Sequence, residues 1–187
     1  RVFLKPSTAS PAFCFKNSLP REHAAKPSMI PQLTQEDIAV FEAILRDLVI
    51  KSESSIALIV DRAGYLIHQY GHLSGFDSTQ VATLASNAFA ATEFMANLIS
   101  EPDFSGMYQQ GSTISTFTLN INASCLLFVA FRSDLSAGAI KYFSGEAVKQ
   151  IAAQLEIAYN RAPEKAFDPA DLNVNDVREI FRKDPNC

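Results

Sequence analysis

The stretch that most constrains this chain is DSTQVATLASNAFAATEFMANLIS, residues 77–100. Asp77 or Ser78 can cap a helix start, because a short side-chain oxygen there accepts one of the unpaired first-turn N–H groups. Val81, Leu84, Ala85, Ala88, Phe89, Met95, Leu98 and Ile99 then recur at helical spacing as one apolar stripe. Pro102 predicts the end, since the residue before a proline is driven out of helical geometry. The other face is the unusual one. Glu93 is the only charged residue between Ser78 and Ser100, whereas a helix with one face in water carries several charges that support each other at i,i+4. That face reads Ala82, Thr83, Ser86, Asn87, Ala90, Phe94 and Asn97, small or neutral side chains with one aromatic. Two arrangements accommodate it: a helix buried on both sides within one domain, or a helix whose outer face meets another chain. The sequence supplies few other helices to bury it, so the second arrangement is preferred, with those seven residues as its contacts. Their Ser, Thr and Asn content argues against a membrane span, which needs about 20 predominantly apolar residues.

The flanking segments set the fold class. Thr34 opens a helix with Asp37 three residues on, a variant of the capping box, and Ile38, Phe41, Leu45 and Leu48 form its apolar side. Ile56 to Val60 is an unbroken apolar run, as expected of a strand covered on both faces. Asp61-Arg62-Ala63-Gly64 turns the chain into a returning strand, Tyr65 to Tyr70. After Pro102 the pattern alternates with period two: strands are expected over 104–110 and 113–120, then over the apolar run Cys125 to Phe131. Ser136 to Ala158 is the last long helix, with Ile140, Phe143, Ala147, Ile151, Leu155 and Ala158 as its stripe. Short connections make the strands neighbours. The predicted fold is α/β, a three-layer sandwich with a five-stranded antiparallel sheet in the order αββαβββα, plus a short C-terminal helix.

Three segments are expected: a leader over 1–33, a domain over 34–160, and a tail over 161–187. Residues 1–33 carry five cations against one carboxylate, so the rest of the chain must hold −8 to give the total of −4. An acidic body disfavours nucleic acid as partner. Residues 1–28 hold four prolines and no periodicity, and Met29 stands just before the first patterned segment. They are read as disordered and outside the fold, either upstream translation or a non-native leader. In the tail, Val174, Val177, Ile180 and Phe181 fall on one face of a short helix predicted over 174–183. Cys14, Cys125 and Cys187 form neither a metal-spaced pair nor a disulfide framework, which fits a reducing, cytoplasmic setting. No membrane insertion is expected.

Residues capable of chemistry are sparse. No G-x-x-x-x-G-K-[ST] phosphate loop is present. His68 and His72 stand four apart, but one falls in a strand and the other in a loop, where that spacing brings no ligands together. Glu101 and Asp103 flank Pro102 as a solvated helix exit, and no serine sits in a nucleophile-elbow context. No catalytic residue, cofactor or metal is expected.

The order of elements, with ALIVDRAGYLI at 57–67, LASNAFAAT at 84–92, FSGMYQQG at 104–111 and CLLFVAF at 125–131 before KYFSGEAVKQIAAQL, resembles the Roadblock (dynein light chain) domain. The local sequence is most similar to its bacterial MglB-like branch. The resemblance implies a homodimer in which the central helices and third strands meet across a two-fold axis. It further implies a small Ras-like GTPase as partner, whose hydrolysis is stimulated by reshaping its switch regions without a donated arginine. Thr83, Asn87, Ala90, Phe94 and Asn97 would face the dimer or the GTPase, and Val177, Ile180 and Phe181 of the tail could add contacts. Arg62, Arg132, Arg178 and Arg182 are the candidates for an arginine finger should one exist, a device worth about 10³–10⁵ in rate. Two other classes remain open: a dimeric scaffold or adaptor without effect on hydrolysis, and an enzyme or sensor with a ligand pocket under the sheet.

Overall fold

The computed structural model describes residues 31–101 and 104–161. Helix α1 (Gln35–Ser52) starts at a complete capping box. The Thr34 hydroxyl accepts from the Asp37 N–H, and the Asp37 carboxylate accepts from the Thr34 N–H at 2.7 Å. Strands β1 (Ile56–Asp61) and β2 (Leu66–Gly71) form the first hairpin. Helix α2 (Ser78–Leu98) follows, its first turn capped by Asp77, which accepts from the N–H groups of Thr79 and Gln80. Strands β3 (Gly106–Gln109), β4 (Ile114–Asn120) and β5 (Cys125–Arg132) make the meander, and α3 (Ala137–Asn160) begins at its Ser136 cap.

The five strands form one antiparallel sheet in the order β2-β1-β5-β4-β3. The runs that are apolar throughout, β1 and β5, are its centre, covered on both faces. Phe41, Leu45 and Leu48 of α1 and Ile140, Ile151 and Leu155 of α3 pack with Ala57, Ile59, Leu127, Val129 and Phe131 on one side. Fully burying such side chains contributes about 1.5–3 kcal/mol each. Ile56, Leu58, Val60, Phe128 and Ala130 point to the other side, where Ala82 and Ala85 of α2 meet them. The three-layer αββαβββα sandwich is therefore the fold.

One strand is shorter than the sequence suggests. Phe104 lies before β3, and its ring packs against Phe89 of α2 at 5.1 Å between centroids. That contact takes it out of the ladder. The leader through residue 30 and the helix expected over 174–183 lie outside the described residues. Among the described residues no helix is long and apolar enough to cross a membrane.

Candidate functional site

Helix α2 divides its faces only partly as the sequence suggests. Ala82, Ala85, Ser86, Phe89 and Ala96 are buried against the chain's own sheet. Leu84, Phe94, Met95, Leu98 and Ile99 are each more than half exposed. Ala82 and Ser86, expected to meet another chain, are thus interior, while Thr83, Asn87, Ala90, Phe94 and Asn97 are exposed. The reason is distance. Small residues let the helix axis sit close to the sheet, which leaves Leu84, Met95, Leu98 and Ile99 of the apolar stripe on the outside while Phe89 stays inside.

The closeness is visible where the β1–β2 turn meets the helix. Gly64 has φ +93°, a conformation that L side chains rarely adopt, and its missing side chain leaves room for the Thr83 backbone. The Thr83 hydroxyl donates to the Gly64 carbonyl at 3.2 Å, and the Ser86 hydroxyl to the Arg62 carbonyl at 2.6 Å. The Arg62 N–H donates to the Ser124 carbonyl at 2.8 Å. Its guanidinium donates to both carboxylate oxygens of Glu93, at 2.6 and 3.2 Å, and to Asn120 Oδ1 at 2.9 Å. The same group lies 5.0 Å from the Phe89 ring centroid, in range of a cation–π contact. The lone charge of α2 is therefore answered by the cation of the first turn, 31 residues away in sequence.

The other chemistry-bearing residues are scattered. Arg132 is exposed and paired with Asp134 two residues on. His68 lies in edge strand β2 with its Nε2 buried and unpartnered, and His72 is exposed in the following loop. Glu101 is exposed, and Asp103, Arg178 and Arg182 lie outside the described residues. Burial pushes the Cys125 thiol up to about 12, so it behaves as a small core residue rather than a nucleophile. Among the described residues no three His, Cys, Asp or Glu side chains converge as a metal site would require. A groove of about 190 Å³ lies between α1 and α3, lined by Ile44, Leu48, Tyr142, Phe143 and the paired residues Asp47 and Lys51 among others. Ligand pockets typically measure about 300–1,000 Å³, and this groove is on the outer helical layer rather than under the sheet.

The model of the Roadblock/LC7 domain family matches residues 40–131. Residues 40–131 are a Roadblock/LC7 domain. Solved structures with the same fold include Myxococcus xanthus MglB, at 23% identity and TM-score 0.63 over 73% of this chain and 98% of that one. The gliding protein MglB from Thermus thermophilus is similar at 22% identity, TM-score 0.63, over 71% and 99%. A Roadblock/LC7 domain from Streptomyces avermitilis shares 16% identity, TM-score 0.57, over 62% and 97%. No curated protein sequence matches this one.

Two unsatisfied features of this Roadblock domain lie side by side. One is the outer α2 face, whose apolar side chains contact no other part of the described chain closely enough to be covered. The other is β3, an edge strand whose outward backbone groups have no ladder partner among the described residues. They are neighbours: the Thr92 hydroxyl of α2 reaches the Met107 sulfur of β3 at 3.4 Å. An exposed edge strand beside a large apolar face is a pairing surface unless something covers it.

Proposed function

We propose that this Roadblock domain is a dimeric, MglB-like regulator of a small Ras-like GTPase. It stimulates GTP hydrolysis by reshaping the GTPase's switch regions and is not itself the enzyme. The observation that carries this reading is the outward apolar face of α2, with Leu84, Phe94, Met95, Leu98 and Ile99 in solvent. Large apolar side chains gathered on one exposed helix face are what a partner surface requires, whereas scattered ones would carry no such meaning. In this reading two protomers meet along α2 and the free edge of β3. Thr83, Asn87, Ala90, Phe94 and Asn97 face the second protomer or the GTPase, and Val177, Ile180 and Phe181 of the tail add GTPase contacts. The engagement of Arg62 with Glu93 and Asn120 supports a mechanism without a donated arginine, because freeing that side chain would leave Glu93 unpaired. The likeness to MglB structures, one of them described as MglB with tetrameric arrangement, supports assembly between copies.

The test is single-turnover hydrolysis by a small Ras-like GTPase, with and without the Roadblock protein in excess. Acceleration of about tenfold or more supports the regulator. Tight binding with an unchanged rate would assign a scaffold instead.

A further inference from the structure

Helix α2 is anchored by two different means along its length. Its N-terminal half is held by apolar packing: Ala82 and Ala85 are buried in the cluster with Ile56, Leu58, Val60, Phe128 and Ala130, and Val81 packs against it. The C-terminal half contributes nothing to that cluster. Phe89 on Phe104, the buried Ala96 and the Thr92–Met107 contact hold it in part, and the one residue that ties its inward face to the β1–β2 turn and to β4 is Arg62. Ser86, Phe89 and Glu93 lie at i, i+3 and i+7, on the same inward face, and each touches Arg62: a hydroxyl on its carbonyl, a ring under its guanidinium, and a carboxylate in two-point contact. The same residue is bonded to β4 through Asn120 and to the β4–β5 turn through Ser124. Its side chain is only 21% exposed, so the ion pair is little screened and its geometry is fixed by the fork of the guanidinium.

We infer that Arg62 is the positioning residue of the assembly surface. By fixing the C-terminal half of α2 on the sheet, it sets the direction in which Phe94, Met95, Leu98 and Ile99 point. This inference rests on the reading of that face as the self-association surface. It reassigns the turn arginine from a finger candidate to a strut acting through Glu93.

The test separates positioning from general stability. The full-length chain and its Arg62→Ala, Glu93→Gln and Asn120→Ala variants are compared for self-association by sedimentation equilibrium and for melting temperature. Ile151→Val, in the opposite layer, is the control for a loss of stability remote from α2. The expected result is that Glu93→Gln and Arg62→Ala each weaken self-association by about tenfold or more, with Asn120→Ala intermediate, whereas Ile151→Val lowers the melting temperature without changing the dissociation constant. Should Arg62→Ala fail to fold, Glu93→Gln decides, since it keeps the shape and removes only the charge. An unchanged dissociation constant in Glu93→Gln would overturn the inference while leaving the dimer intact. So would a weakening that Ile151→Val reproduces at the same melting temperature. A wild-type chain that remains monomeric would remove the assembly reading and this inference with it.

Discussion

A β-carbon on Gly64 would lie 2.9 Å from the Cα of Thr83. That single spacing records how closely the β1–β2 turn and α2 approach, and it fits the small inward residues Ala82, Ala85 and Ser86 beside it. Gly64→Ala should therefore destabilise the fold by about 1–3 kcal/mol, combining a strained positive φ with a backbone clash that no rotamer relieves. Urea denaturation measures the loss. An effect near zero would mean that the turn moves freely away from the helix.

The opposite sign is expected at the two helix exits. Glu53 after α1 and Ser100 after α2 adopt left-handed backbone at φ 54° and 62°, where glycine is the usual occupant. Glu53→Gly and Ser100→Gly should each stabilise by about 0.5–1 kcal/mol, the relieved strain outweighing the extra freedom of the unfolded chain. Both variants can be read from thermal melts. Destabilisation by either would show that its side chain makes a contact worth more than the strain.

The acid limb of stability is assigned to Asp37. Its carboxylate is buried and accepts from Arg161 at 2.8 and 3.0 Å, from Gln154 at 2.7 Å and from Thr34. Arg161 is the largest influence holding its pKa well below the usual 3.8, against the opposing effect of burial. A folded pKa below the unfolded one adds stability that is fully present above the unfolded value and lost as pH falls through the folded one. Asp37→Asn should thus melt lower than wild type at pH 7, and the gap should narrow progressively below about pH 4. A gap that is constant from pH 7 to pH 2 would contradict the assignment.

The arginines give a prediction on activity. Arg132→Ala should leave the stimulated GTPase rate within about twofold of wild type. Arg62→Ala, assayed well above its dissociation constant, should stay within about tenfold. A true finger would lose about 10³–10⁵ in each case. A thousandfold loss from either substitution under saturating conditions would make that residue a finger and remove the switch-reshaping mechanism.

Much of this molecule is legible in its sequence, because the signals are local. Thr34 and Asp37 announce the α1 cap, Asp77 and Ser136 announce the other two, and the uninterrupted apolar runs at β1 and β5 identify the centre of the sheet. The faces of α2 are not legible in the same way. Amphipathic reasoning assigns the largest apolar residues to the core. Here the core-facing side is mostly small residues around Phe89, because the helix packs close, and Leu84, Met95 and Leu98 point outward. Long-range pairs escape local reading as well: Arg62 with Glu93, and Asp37 with Arg161, 124 residues apart. For the first of these a signal existed. A helix with one charge, Glu93, and a turn with one cation, Arg62, in the element packed beside it are natural partners once the fold places them together.

The claim on which the rest depends is that the outer α2 face is an assembly surface. Sedimentation equilibrium of the wild-type chain beside Leu98→Asp at micromolar concentration tests it most directly. Leu98 is 70% exposed, so the substitution costs the isolated protomer little, whereas a charge buried unpaired in an interface costs several kcal/mol. A wild-type dimer and a folded Leu98→Asp monomer are the expected result. A monomeric wild type, or a dimer indifferent to Leu98→Asp, would contradict it.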